Sequence, residues 1–181
     1  MARIQRGISR LSHFLENCLT EDRLDSDGLI LQPSVIDIFQ LAMSVKENIQ
    51  LISDGHQITV DLARNPPTLN ADPQLLRILL LNLLGNAIKY SPSETPIQLR
   101  ISHDHWSYIF EVIDNGQGIP EDELPFIFNK YMRGRGIIGI AGAGLGLALV
   151  KRIVELHKGH IEVQSRINFG TTIKVTFPQT F

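Results

Sequence analysis

The sequence predicts an α+β sandwich, in which a mixed, mostly antiparallel sheet of about five strands carries three helices on one face. Three observations lead there. The stretch from Pro73 to Tyr90 is apolar nearly all round, from Leu75 through Leu84, which marks a helix central to a core. Several segments alternate apolar and polar residues with the period of half-buried strands, such as Ile58, Val60 and Leu62. Near the C-terminal end, Gly142-Ala143-Gly144-Leu145-Gly146 runs into an amphipathic helix built on Leu147, Val150, Ile153, Val154 and Leu156.

A length of 181 residues fits one domain, or a small domain with an appendage. The apolar share of 43% is that of a soluble globular protein. A net charge of -2, without a basic field, excludes a nucleic-acid partner. The single Cys18 excludes an internal disulfide and fits a reducing compartment, so a cytoplasmic location is expected. The run from Leu75 to Leu84 holds Arg77 and Asn82 and is too short to span a bilayer. Met1-Ala2-Arg3-Ile4-Gln5-Arg6 leads into no signal-peptide core. No membrane contact is expected of this segment, whether or not a parent protein is membrane-anchored.

In chain order, residues 3–24 read as one helix with a heptad seam of Ile4, Ile8, Leu11, Leu15 and Cys18. The seam either packs onto the rest of the domain or pairs with another copy as a homodimer. Asp25-Ser26-Asp27-Gly28 breaks the pattern and reads as a hinge, separating 1–27 from a domain over 28–181. Leu29-Ile30-Leu31 is a short strand candidate. Pro33-Ser34 opens a helix with Val35, Ile38, Leu41, Ala42, Val45 and Ile49 on one face, ended by Ser53-Asp54-Gly55. A strand over 57–62 and a short strand over 68–71 follow. Asp72 is placed to cap the central helix, with Pro73 in its first turn. Strands over 97–101 and 106–113 flank a turn at His103-Asp104-His105. Glu121 to Phe128 reads as a short helix and 129–141 as a glycine-bearing loop. Gly159 stops the last helix. Segments 160–164 and 171–177 pair around Asn168-Phe169-Gly170, and Pro178 closes the domain.

Some residues are better explained by chemistry than by packing. Asn82 and Asn86 stand four apart on one helix face. Asn is a poor helix former and costly to bury without partners, so both are either bonded core amides or amides facing a polar ligand. Lys89 and Tyr90 extend the same region. Asp114-Asn115-Gly116-Gln117-Gly118 ends a strand: either a simple turn, or a carboxylate at a pocket floor with glycine backbone close to a flat ligand. The glycines before the last helix leave N–H groups uncovered at a positive helix end. That is either a tight turn or a phosphate seat.

Taken in order, these stretches resemble the boxes of sensor histidine kinases. Asn82 through Pro92 looks like the N box, Asp114 through Ile119 the G1 box, and Pro125 to Arg133 the F box. Gly142 to Leu147 looks like the G2 box, and Gly170-Thr171-Thr172 the last glycine box. The resemblance covers roughly residues 30–178 and implies an ATP-binding Bergerat fold. It implies that Asp114 accepts a hydrogen bond from the adenine amino group, worth about 1.5–3 kcal/mol for a charge-assisted bond. Asn86 would offer its oxygen to Mg²⁺, with Asn82 one turn earlier near the phosphates. Lys89 and Arg133 would neutralise phosphate charge, and Tyr90 would line the pocket. Gly116 and Gly118 would allow close approach to the nucleotide. Gly142, Gly144, Leu145 and Gly146 would form the hinge and cradle of a lid, and Thr171 would border the nucleotide.

Two further points shape the expectation. Related ATPases of the superfamily carry a water-activating Glu where this chain has Asn82. An amide is no general base at neutral pH, which favours transfer to histidine over hydrolysis. The first helix holds only His13, followed by Phe14 rather than an acid, and looks like the second helix of a dimerisation hairpin. The chain therefore reads as a fragment that keeps the catalytic domain and lacks the acceptor. Its partners would be ATP, the acceptor hairpin of the parent kinase and, indirectly, a response-regulator receiver domain. The alternatives are a serine kinase of the anti-sigma type and a non-catalytic nucleotide-responsive module.

Overall fold

The computed structural model describes residues 19–20, 31–53, 55–63, 68–132 and 144–179. Outside them lie the expected first helix apart from the helical Leu19 and Thr20, the 25–28 hinge, His13, Cys18, Arg133 and Gly142. In order, the elements are β1 Ser34–Ile36, α1 Ile38–Gln50, β2 Ile58–Leu62, β3 Leu69–Ala71, α2 Pro73–Tyr90, β4 Ile97–His103 and β5 Ser107–Asp114. A single 3-10 turn, Leu124–Phe126, precedes α3 Gly146–Leu156, β6 His160–Arg166 and β7 Gly170–Pro178.

The main sheet runs β2-β4-β5-β7-β6. The β2–β4 pair is parallel and the others are antiparallel. This is the mixed five-stranded sheet and three-helix α+β sandwich expected. A two-stranded ribbon, β1–β3, was not expected. One continuous core joins α1 (Ala42, Val45, Ile49), α2 (Leu76, Leu80, Leu83), α3 (Val150, Ile153) and the inner sheet face (Leu99, Phe110, Val175). Each fully buried aliphatic side chain contributes about 1.5–3 kcal/mol, so α2, with six buried leucines, anchors the fold.

Several boundaries differ from expectation. The helix foreseen from Ser34 starts at Ile38, because Asp37 caps it through Gln40 N–H at 3.0 Å. Val35 and Ile36 are β-branched and pair with β3 instead. Leu31 joins no strand. Trp106 sits in the β4–β5 turn, 79% exposed, where Asp104 Oδ1 accepts from the Trp106 and Ser107 N–H groups. The helix expected over 121–128 is a set of turns around one 3-10 turn. Pro125 has no N–H to donate, and Phe126 is 48% exposed, so no apolar stripe is buried there. The stop of α3 is Lys158, at φ +53, rather than Gly159. Lys158 N–H bonds Glu155 O and Gly159 N–H bonds Val154 O, a Schellman closure. Gly159 is required for a different reason: a Cβ there would lie 2.6 Å from Thr176 O.

One junction ties α2 to α3. Asp72 Oδ1 caps α2 through Gln74 and Leu75 N–H, while Oδ2 accepts from Gln32 N–H. Its own N–H donates to His157 Nε2 at 3.1 Å. Nε2 must therefore be the acceptor, and Nδ1 carries the proton and donates to Ile153 O at 2.8 Å. His157 is 0% exposed, and burial pushes its pKa below the ordinary value of 6.5. The folded state thus holds a neutral imidazole that the unfolded chain protonates more readily. This contribution to stability is complete above pH 6.5 and is lost as pH falls through that value toward the folded pKa. Thermal melts should show His157→Leu destabilised by about 1–3 kcal/mol at neutral pH. The loss of stability on going to about pH 5.5 should be smaller in that variant than in the wild type. An equal acid loss in both would remove His157 as its source.

Candidate functional site

The C-terminal end of β5 meets the N-terminal end of β7 where Asp114 stands opposite Thr171 in the ladder. Asp114 Oδ1 accepts from Gly116 N–H at 2.8 Å and from Thr171 N–H at 3.2 Å. Among the described residues no hydrogen bond reaches its second oxygen, Oδ2. Burial pushes the Asp114 pKa up and the two backbone donors pull it back. The loop after Asp114 is held on both sides. Gln117 N–H donates to Tyr90 O at 3.2 Å, and Gln117 O accepts from Asn168 N–H at 2.8 Å. Gly118, at φ +71, lies so close to the Arg166 carbonyl that no side chain fits.

These groups border a cavity with about 910 Å³ of open space, part of it facing solvent. Asn86, Tyr90, Asp114, Gly118 and Thr171 all line it. So do apolar walls from Leu83, Ala87, Val112, Ile173 and Leu147. A mostly apolar slot with a few convergent polar groups suits a flat, partly polar ligand. Sequence reading missed Glu123, Ile127 and Met132 as lining residues. Glu123 is a buried carboxylate in an acidic run whose members look alike in sequence.

The two asparagines of α2 separate. Asn86 lines the cavity. Asn82, 5% exposed, lies behind it. Its Nδ2 donates to Ile78 O at 2.9 Å, and its Oδ1 would be 2.7 Å from any Cβ at Gly146. Lys89 is not a lining residue; its ammonium donates to the Tyr90 hydroxyl at 2.8 Å. Gly116 packs under Tyr90 O, where a Cβ would be 2.5 Å away. Gly144 has φ +74 and accepts at its carbonyl from Tyr131 N–H at 3.0 Å, which joins the two flanks of the 133–143 stretch. Leu145 is buried at the N-cap of α3 and Gly146 is the helix's first residue. Leu145, at the N-cap, makes no side-chain cap hydrogen bond. Arg133 and Gly142 lie outside the described residues.

The family model described as histidine kinase-, DNA gyrase B-, and HSP90-like ATPase matches residues 71–180. The chain belongs to this family. Among curated relatives, the sensor histidine kinase YvrG of Bacillus subtilis is 33% identical over 170 residues, covering 92% of this chain and 29% of YvrG. The sensor protein QseC of Escherichia coli is 31% identical over 188 residues, covering 98% of this chain and 39% of QseC. The crystal structure of full-length ShkA in complex with AMPPNP superposes with a TM-score of 0.81 at 27% identity, over 96% of this chain and 37% of ShkA. The structure of the mycobacterial sensor histidine kinase MprB gives a TM-score of 0.74 at 26% identity, over 81% of this chain and 99% of that one. The chain is an ATP-binding catalytic domain of the sensor histidine kinase type. It spans under half the length of curated relatives such as these. No helix among the described residues is long and apolar enough to cross a membrane.

Two glycine substitutions should act in opposite directions in thermal melts. Gly118→Ala places a Cβ at positive φ into the Arg166 carbonyl and should cost about 1–3 kcal/mol of stability. Gly85→Ala meets nothing within 4 Å and should stabilise α2 by up to about 1 kcal/mol.

Proposed function

We propose that the cavity binds the adenine and ribose of ATP and that the domain passes the γ-phosphoryl group to a histidine on the dimerisation hairpin of its parent kinase. The observation that carries this reading is Asp114, which lines a cavity bordered by glycine, with one oxygen fixed by two backbone N–H groups and the other accepting no bond from the described residues. An ionised carboxylate only accepts, so it selects a base that presents an amino group. Tyr90 forms a wall, and Gly116 and Gly118 let the backbone approach the nucleotide. Thr171 borders the base. The first turn of α3, with Gly144, Leu145 and Gly146, and with Gly142 before it, seats the phosphates. Lys89 and Arg133 neutralise phosphate charge, which in phosphoryl transfer is most of what a protein contributes.

The residues fit Mg²⁺. Asn86 lines the cavity with an amide oxygen, a hard ligand. No group of three or more His, Cys, Asp or Glu that could hold a metal occurs among the described residues. A Mg²⁺ ion carried mainly by phosphate oxygens would be held through Asn86. When bound, it would offset charge on the β- and γ-phosphates. Asn82 is no general base, which favours transfer over hydrolysis. Its place between Ile78 and Gly146 suits a residue that sets the start of α3. Residues 1–27 would form part of the dimerisation hairpin and pair two copies through 3–24, and 28–181 the catalytic domain. A receiver domain would take the phosphoryl group from the hairpin. The site would work in the cytoplasm.

Calorimetry should show Mg²⁺-dependent ATP binding, weakened about tenfold or more by Asp114→Asn. Because burial raises the Asp114 pKa, affinity should fall with decreasing pH from above the ordinary carboxylate range. Supplied with an acceptor hairpin and ATP, the domain should yield acid-labile phosphate. Acid-stable phosphate would overturn the histidine assignment, and unchanged affinity in Asp114→Asn would overturn the role of Asp114.

A further inference from the structure

Ser165 stands one layer behind the cavity wall. It follows Ile161 and Val163 on the inward parity of β6 and pairs with Thr171 of β7, but it carries a hydroxyl where they are apolar. Its Oγ accepts from Ile119 N–H at 2.8 Å, lies 3.1 Å from the Gly170 carbonyl and 2.9 Å from Thr171 Oγ1. Ile119 and Thr171 both line the cavity, and Thr171 N–H is one of the two donors to Asp114 Oδ1.

A serine hydroxyl has one proton and two lone pairs. Ile119 N–H occupies one lone pair. The Gly170 carbonyl can only accept, so it takes the proton. The Thr171 hydroxyl then meets the remaining lone pair as a donor, and only this orientation makes all three bonds at once. The Thr171 proton is turned back toward Ser165, and its oxygen is left with lone pairs alone. The ionised Asp114 beside it likewise has only lone pairs.

We propose that Ser165 is a specificity-determining residue: by fixing the Thr171 hydroxyl as an acceptor, it makes this end of the cavity demand a donor, the 6-amino group of a purine rather than a 6-oxo oxygen. The inference rests on the reading of the cavity as an ATP site. A 6-oxo base sets its oxygen against two groups that offer only lone pairs, whereas a 6-amino base has two hydrogens to give.

The test compares ATP with ITP, its 6-oxo counterpart, by calorimetry in Mg²⁺ for the wild type, Ser165→Ala, Thr171→Val and the double variant. The wild type prefers ATP. Ser165→Ala frees the Thr171 hydroxyl to donate to the 6-oxo oxygen, and the ATP-over-ITP ratio falls roughly threefold to tenfold, the range of one hydrogen bond. Ser165→Thr keeps the hydroxyl and the wild-type ratio. In the Thr171→Val background, Ser165→Ala leaves the ratio unchanged. Equal weakening of both nucleotides by Ser165→Ala overturns the proposal, as does an undiminished effect of Ser165→Ala without the Thr171 hydroxyl. Should Ser165→Ala fail to fold, Thr171→Val alone must lower the ratio, and an unaltered ratio there also overturns it. A wild-type domain that binds neither nucleotide overturns the ATP-site reading itself, and this one with it.

Discussion

The cavity depends on a carboxylate held in place by backbone. Asp114 is pulled two ways: burial favours its neutral form, and the N–H groups of Gly116 and Thr171 favour its charge. The Gly116 donor is local, two residues on, and the Thr171 donor exists because β5 and β7 pair in one register, with Asp114 opposite Thr171. A slip of one residue would turn Asp114 to the other sheet face. The neighbouring turn has no latitude either, since Gly170, at φ +96, abuts the Asp114 carbonyl too closely for any side chain. The chemistry of one oxygen is thus set by strand pairing and by glycine.

The same logic separates Asn82 from Asn86. Four residues carry a helix about 6 Å along its axis. Within that distance the α2 face passes from beneath the first residue of α3 to an open cavity. Residue type and spacing place both amides on one face. Only the packing of α3 decides which is a strut and which lines the cavity.

Legibility in the sequence followed how local the cause was. The bounds of α2 were readable because Asp72, Pro73 and Ser91-Pro92 mark both ends within the segment itself. The alternating strands and Asp114 at the end of β5 were readable for the same reason. The start of α1 was not, because Val35 and Ile36 are claimed by β3, which lies more than thirty residues away in the chain. The 121–128 stretch was misread because its apolar residues suggested a buried stripe that the fold does not bury. Gly159 was correctly singled out but for the wrong reason: a carbonyl of β7, invisible locally, forbids its side chain. In the candidate site, Asn86, Tyr90, Asp114, Gly118 and Thr171, singled out by residue type and position, line one cavity. Ser165 left a faint signal, a hydroxyl on the apolar parity of β6, that becomes meaningful only once β6 lies beside Ile119 and Thr171.

The hydrogen bonds that finish the cavity have a consequence for how the protein comes into being. Thr171 reaches Asp114 across 57 residues of chain, and Ser165 reaches Ile119 across 46. Contacts so distant in sequence carry a large loop-closure cost and form late. On a ribosome, α2 and β5 emerge well before β7, so a nascent chain has the cavity wall but not its closure. If the cavity is the ATP site, nucleotide has nothing complete to bind until β7 is in place. From that moment it stabilises the finished fold by mass action and leaves the incomplete chain unaided.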